Sequence, residues 1–342
     1  MLWENGNRRQ DWRESGPMEK VAVIVPFYNS EPYFEQCLNS LVNQDYEKYE
    51  IYLIDDRGSD GSLAIAERFQ AEYPALIRIL RNDVNIGQGR SRIRAVQMTD
   101  AAYVMFVDSD DYVSSDYIRR YMAENTDDYD MIVGSFIRDD GNRLDPFSII
   151  DSDYTIMLYS VACCKAYKRS FLLEYGIDFS DSRKGEDIYF SLACYACKAR
   201  YKVIPYIGYY YRNNPTSTTK SMNYENNFER IVIDMFRRFR EKYHPERLQE
   251  DMRKKIEYAY IANIVNALVV YNRGCGIPRM REKLSWVIAD LKQNYPDFLD
   301  NRELRFTRPA GVSRKIRTGV GAFYWCCRLH LTKPLFYAVS LL

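Results

Sequence analysis

The sequence predicts an α/β fold, a mostly parallel sheet wrapped by helices, followed by a helical C-terminal region. Three observations predict it. Short β-branched runs alternate with helix-period segments between residues 21 and 107, the pattern of strands joined by crossover helices. Each strand-like run leads into a polar loop, and in such sheets these loops gather outside the carboxyl ends of the strands. Beyond residue 223 the strand pattern stops and helical spacing takes over.

Taken in order, Val21-Ala-Val-Ile-Val25 is an apolar strand that Pro26 should stop. Glu31 to Asn43 has helical spacing through Phe34, Leu38, Leu41 and Val42. Ile51 to Ile54 is the second strand and Ser62 to Tyr73 the second helix. Ile77 to Leu80, Gln88 to Met98 and Tyr103 to Val107 continue the alternation as strand, helix, strand. The pattern then loosens. Met131 to Ile137 and Ala166 to Lys168 read as strands, Gly185 to Ala199 as a helix, and Lys202 to Arg212 as one or two Tyr-rich strands. Asn227 to Tyr243, Arg247 to Tyr271 and Pro278 to Gln293 read as helices.

Composition narrows the function. The 342 residues carry 48 Lys+Arg and 47 Asp+Glu, a net charge of +1, with 46% hydrophobic residues. That is too apolar and too weakly charged for a disordered chain. No apolar run is long enough to span a bilayer, and near-neutrality gives no reason to expect nucleic acid as a partner. Eight Cys do not form a disulfide framework. Cys194-x-x-Cys197 lacks the further ligands a zinc site needs. Met1 to Lys20 is polar, without the apolar core of a signal peptide, so a reducing cytosol is expected.

The four post-strand loops are Pro26-Phe-Tyr-Asn29, Asp55-Asp-Arg-Gly-Ser-Asp-Gly61, Asn85-Ile-Gly-Gln-Gly89 and Asp108-Ser-Asp-Asp111. Three carboxylates at the end of a buried strand need neutralising. A hard divalent cation would do so through oxygen ligands; a solvated acidic turn is the plainer reading. Asp55 and Asp56 read either as hydrogen-bond acceptors for a base or ribose, or as part of a turn and helix cap. Gly87-x-Gly89 has Arg92 where a dinucleotide fingerprint needs a small residue, and no P-loop motif is present. Glu186-Asp187 opens a helix, where acids favour the dipole; an Asp there that reached an acceptor hydroxyl could instead be a general base. Arg212 and Ser217 offer a cation and a hydroxyl for a diphosphate.

Together these motifs resemble the family 2 glycosyltransferases, inverting enzymes of GT-A fold, over roughly residues 20–221. The carriers are Val23-Ile-Val-Pro-Phe-Tyr-Asn29, Ile54-Asp-Asp-Arg-Gly-Ser-Asp-Gly-Ser62, Asn85-Ile-Gly87, Arg92, Phe106-Val-Asp-Ser-Asp-Asp111, Gly185-Glu-Asp187 and Tyr210-Tyr-Arg212. The resemblance implies that Pro26, Tyr28, Asp56, Asn85 and Arg92 bind the nucleotide of a UDP-sugar. It implies that Asp108 meets the ribose side, and that Asp110, with Asp108, serves a Mn²⁺ or Mg²⁺ on the diphosphate. Asp187 would be the general base and Glu186 its neighbour, with Arg212 and Ser217 near the leaving group or acceptor. Two positions depart from the family pattern: Ile93 stands where Asn is common, and Arg57 where Gly is common.

The expected organisation is a polar lead (1–19), a GT-A domain (20–222, with a nucleotide-sugar half about 20–111 and an acceptor half about 112–222), a helical region (223–310) and a basic apolar tail (311–342). Residues 1–222 hold 26 Lys+Arg against 34 Asp+Glu, and residues 223–342 hold 22 against 13. The near-zero total is therefore a cancellation. The tail suits an interfacial helix on anionic lipid or one docked on protein. The expected activity is metal-dependent transfer from a UDP-sugar to a saccharide or lipid-linked acceptor in polysaccharide synthesis, on the inner face of the membrane. A sugar-nucleotide nucleotidyltransferase and a non-catalytic carbohydrate-binding protein are the alternatives.

Overall fold

The computed structural model describes residues 18–182, 184–214 and 222–342. Its N-terminal half is a mixed sheet of β1 (Val21–Phe27), β2 (Tyr49–Asp55), β3 (Ile77–Arg81), β4 (Tyr103–Phe106), β5 (Tyr112–Val113), β6 (Met131–Asp139), β7 (Leu144–Phe147), β8 (Lys165–Lys168) and β9 (Tyr201–Arg212). The order is β3-β2-β1-β4-β8-β6-β9-β5, with β7 on β6. β1 pairs in parallel with β2 and β4, and β2 with β3, whereas β8 is antiparallel to both β4 and β6. The sheet is flanked by α1 (Glu31–Val42), α2 (Ser62–Glu72), α3 (Gln88–Met98), α4 (Tyr117–Ala123), α5 (Thr155–Leu158), α6 (Arg169–Glu174) and α7 (Glu186–Ala196).

Period-two alternation splits the β1 side chains between two cores. Val21, Val23 and Val25 pack with Phe34, Leu38 and Leu41 of α1. Ala22 and Ile24 pack on the other face with Ala95 and Val96 of α3 and Phe190 and Ala193 of α7. Pro26 does not end β1; it pairs with Ile54 and the strand runs on to Phe27. The reason is directional. Ile24 presents its carbonyl to Val107 on the β4 side and Phe27 presents its carbonyl to Asp56 on the β2 side. The N–H that Pro26 lacks would therefore point toward β4, where pairing has already stopped at Ile24.

β5, β7 and the short helices α4 to α6 lie beyond what the periodicity predicts. They are too short to show a period. The Tyr-rich segment is one strand, β9, with an irregular register opposite Val133 to Phe136.

The C-terminal part comprises α8 (Phe228–Tyr243), α9 (Glu250–Asn266), α10 (Ile277–Asn294), α11 (Arg314–Arg328) and α12 (Thr332–Val339). It does not pack alone. Its core also takes in Tyr154 and Met157 around α5, and Tyr189, Leu192 and Ala196 of α7. Inside it, Lys283 and Glu229 form a buried pair at 2.8 Å, with Lys283 also donating to the Tyr224 carbonyl at 2.8 Å. The tail forms α11 and α12, which bury Val320, Phe323, Tyr324 and Phe336 in that core. No helix among the described residues is long and apolar enough to cross a membrane.

Candidate active site

The first two loops are fastened to each other. The Ser59 amide donates to Asn29 Oδ1 at 2.7 Å, Ser30 N to Ser62 Oγ at 2.8 Å, and Glu31 N to Asp60 Oδ2 at 2.9 Å. A Cβ at Gly58 would stand 2.7 Å from the Asn29 nitrogen, so only glycine permits this approach. Pro26 is buried within β1, and Tyr28 is 51% exposed at the rim. Arg57 occupies left-handed backbone (φ 64°) and donates its amide to Asp55 Oδ1 at 2.9 Å. Its guanidinium bonds the Asn82 carbonyl, a contact the glycine common in the family could not make.

Asp56 is buried and turned toward the third loop. It accepts the amides of Ile86 at 2.8 Å and Gly87 at 2.9 Å, and Asn82 Nδ2 at 2.9 Å. The carboxylate thus sets the conformation of Asn85-Ile-Gly87, and Asn85 lies half-buried beside it. Asn82, which holds Asp56, Ser91 and Arg94 together, is not singled out by any sequence signal.

Arg92 is wholly buried. Its guanidinium donates one nitrogen to Asp108 Oδ1 and the other to Asp187 Oδ1, the latter at 3.1 Å. It lies over the rings of Phe106 (5.7 Å) and Phe179 (5.3 Å). The sequence places Arg92 with the nucleotide-binding residues. In the structure its guanidinium is turned inward, where it ties the strand-end acid Asp108 to the helix-start acid Asp187. Burial disfavours its charge, but Asp108 and Asp187 outweigh this and hold its proton more tightly than usual. A Cβ at Gly89 would lie 2.6 Å from Phe179 Cβ, so this glycine lets Phe179 close over the guanidinium.

The acidic loop is held from β9. Asp111 is fully bonded, accepting Tyr209 Oη at 2.6 Å and the Arg212 amide at 2.7 Å. Asp110 accepts Asn214 Nδ2 at 2.9 Å. Burial, then Asp108, push its carboxyl above the usual range. Arg212 donates Nε to the Asp110 carbonyl at 2.8 Å and reaches Gln36 Oε1 at 2.6 Å. Its guanidinium lies over the rings of Tyr33 and Tyr112. Ser217 lies outside the described residues.

Among the described residues no three His, Cys, Asp or Glu side chains converge as a complete metal cage. The donor chemistry nonetheless fits a hard cation. Asp108, Asp110 and Asp111 crowd one loop, and both Asp110 and Asp111 bind protons more tightly than usual because burial and neighbouring carboxylates leave them under-neutralised. One such carboxylate plus diphosphate oxygens is a sufficient ligand set for Mg²⁺ or Mn²⁺.

Asp187 sits in the first turn of α7, its side chain 27% exposed. Beyond Arg92, its Oδ2 accepts the Ala162 amide at 3.3 Å. Burial raises its proton affinity; Arg92 and Lys165 pull it down, and Asp108 pushes it up. Glu186 is buried, bonded by Gln88, and raised to about 7 by burial and then by Asp187. The left-handed Gly185 (φ 76°) starts the helix so that both acids face α3.

The loop ends of the sheet thus collect a turned acidic pair, an Asp-x-Asp loop and a helix-start Asp, on a sheet of GT-A fold. Residues 22–176 of the chain match the model of glycosyl transferase family 2. Among its relatives, a poly(ribitol-phosphate) beta-glucosyltransferase of Bacillus spizizenii is 31% identical over 56% of this chain and 32% of its own length. Poly(ribitol-phosphate) beta-N-acetylglucosaminyltransferase TarS of Staphylococcus aureus is 25% identical over 85% of this chain and 52% of its own. The chain thus spans only about a third to a half of these relatives. The crystal structure of S. aureus TarS 1-349 in complex with UDP-GlcNAc superposes with a TM-score of 0.71 at 20% identity, covering 94% of this chain and 90% of that one.

Proposed function

We propose that the chain is an inverting glycosyltransferase that moves a sugar from a UDP-sugar to a hydroxyl of a saccharide or polyol-phosphate acceptor in envelope polysaccharide synthesis. The observation that carries this is the buried Arg92, bonded at once to Asp108 and Asp187. It holds an acid of the donor side and a base candidate of the acceptor side in one fixed constellation, as a single displacement requires. The match of residues 22–176 to the family 2 glycosyl transferase model argues against the nucleotidyltransferase alternative.

In this reading the acceptor hydroxyl attacks the anomeric carbon while UDP leaves from the opposite face, through an oxocarbenium-like transition state. Asp187 takes the hydroxyl proton, and one displacement gives inversion. Tyr28 and Asn85 border the nucleotide, Pro26 shapes the floor beneath it, and Asp56 serves through the Asn85 loop. Asp110, with Asp108 beside it, would hold Mn²⁺ or Mg²⁺. When bound, that ion neutralises the charge developing on the diphosphate. Arg212 fixes the Asp110 loop from β9 and stands on the same side as the leaving group.

The donor and acceptor classes rest on the relatives' names. The work place rests on the end of α11, the start of α12 and the turn between them, where Trp325, Leu329 and Leu331 are exposed beside Arg328, His330 and Lys333. That mixture suits the surface of an anionic bilayer. The test is UDP release from UDP-GlcNAc, UDP-glucose and other UDP-sugars with poly(ribitol phosphate) as acceptor, with and without Mn²⁺. One donor should release UDP only with acceptor and metal both present. Acceptor-independent release, or none from any donor, would overturn the assignment.

A further inference from the structure

Lys165, on β8, is a cation with no exposed surface. No carboxylate bonds it among the described residues. Its Nζ donates instead to two backbone carbonyls, Tyr159 O at 2.7 Å and Val161 O, and lies 4.5 Å from the centre of the Tyr159 ring. Burying an ammonium without a paired anion is costly, and the cost shows in its proton affinity, lowered by burial to about 8. A sheet residue with no task beyond packing would be apolar here, as its β8 neighbour Ala166 is.

What those bonds secure is the segment 159–162. Tyr167 Oη donates to the Ala162 carbonyl at 3.0 Å, and Ser191 Oγ of α7 to the Ser160 carbonyl at 3.0 Å. The segment ends with the Ala162 amide aimed at Asp187 Oδ2. Arg92 fixes the other oxygen, Oδ1. Asp187 is therefore oriented from two sides, by a guanidinium on α3 and by a backbone amide whose strap is stitched by Lys165.

We propose that Lys165 is a positioning residue for the proposed base: it holds the 159–162 strap so that the Ala162 amide fixes the carboxylate of Asp187. The inference rests on the reading of Asp187 as base. Lys165 touches neither donor nor acceptor; its effect passes through the strap. Its charge also favours ionised Asp187, in the same sense as the strap's amide. The groups facing Lys165 are Asp187 and the thiols of Cys163, Cys164 and Cys194. Those acting on Asp187 are Arg92, Asp108, Glu186 and Lys165.

The test is Lys165→Met, with Lys165→Gln as a second variant that keeps a donor in the slot should the first not fold. The donor is the UDP-sugar selected by the release assay, and two quantities are read. In steady-state kinetics kcat should fall by ~10- to 100-fold, with KM for the UDP-sugar and affinity for UDP within about twofold, because the strap acts on the reacting oxygen rather than on ground-state binding. In amide hydrogen exchange the Ala162 amide should lose protection while Met131 to Val133, paired with β8, keep theirs. An unchanged kcat, or a lower kcat with Ala162 still protected, overturns the inference, as does loss of protection spread evenly over β8 and β6. Asp187→Asn, run in parallel, separates the two claims. Transfer surviving in Asp187→Asn defeats the base assignment. Transfer lost there, with wild-type kcat in the Lys165 variants, defeats the role of Lys165 alone.

Discussion

At the scale of single residues the site works by crowding charges and then fixing them. Glu186 and Asp187 share a buried corner with Arg92, and the crowding has a measurable consequence for stability. The Glu186 carboxyl is raised from 4.5 to about 7. Between those values the unfolded chain has released a proton that the folded chain still binds, so stability falls as pH rises through that window. Glu186→Gln removes the titration and keeps an acceptor for Gln88. The variant should match wild type near pH 4 and exceed it by about 1–3 kcal/mol at pH 8, as read from urea midpoints at both pH values. An equal effect at both would show that burial does not raise this group.

The residue scale is also where the sequence is hardest to read. The acids Asp56, Asp108, Asp110, Asp111 and Asp187 stand out because carboxylates after strands and at a helix start are conspicuous. Their partners do not. Asn82, Gln88, Tyr209 and the Ala162 amide act through side-chain direction and through contacts between residues up to about a hundred positions apart, and neither is encoded in local pattern. Arg92 illustrates the difference. Its position marks it as functional, but only the packing of Phe106 and Phe179 reveals that it faces inward.

At the scale of elements, helix α3 carries the arrangement. Its first turn supplies Gln88 to Glu186 and leaves Gly89 bare against Phe179, and its next turn supplies Arg92. Alanine favours helix more than glycine by about 1 kcal/mol, so propensity alone would make Gly89→Ala stabilising. Here the new Cβ would meet Phe179 Cβ at 2.6 Å, an atom next to the backbone that cannot swing away. Overpacking of this kind costs ~1–3 kcal/mol, and Phe179 is itself stacked on Phe190 at 4.2 Å. Gly89→Ala should therefore lower the thermal midpoint and reduce transfer; a raised midpoint with full activity would show that Phe179 yields freely. These elements were legible because β1, β2 and β4 are runs of buried, mostly apolar residues and α1 to α3 repeat their period several times. β5 has two residues, and β7 is exposed throughout with Asp145 and Pro146 at its centre, so neither carries a strand pattern.

At the scale of the whole molecule, the acidic sheet half and the basic helical part share one core through α5 and α7. This changes how the tail can be tested. Deleting residues 311–342 would strip Val320, Phe323, Tyr324 and Phe336 from that core and so confuse membrane binding with unfolding. Trp325→Ser, Leu329→Ser and Leu331→Ser together change only exposed side chains, in the last turn of α11 and the loop after it. The triple variant should keep its thermal midpoint within a few degrees and lose co-sedimentation with phosphatidylglycerol vesicles, while wild type binds them in a salt-sensitive way. Equal sedimentation of both proteins would show that the turn does not meet lipid.

The central claim is that the carboxylate held between Arg92 and the Ala162 strap takes the proton of the acceptor hydroxyl. Asp187→Asn tests it most directly, because it keeps the side chain's shape and removes the base, its single amide oxygen still accepting from one of the two groups that orient Asp187. UDP should bind with wild-type affinity by calorimetry, while acceptor-dependent transfer falls by ~100-fold or more. Retention of most of the transfer activity alongside intact UDP binding would contradict the account.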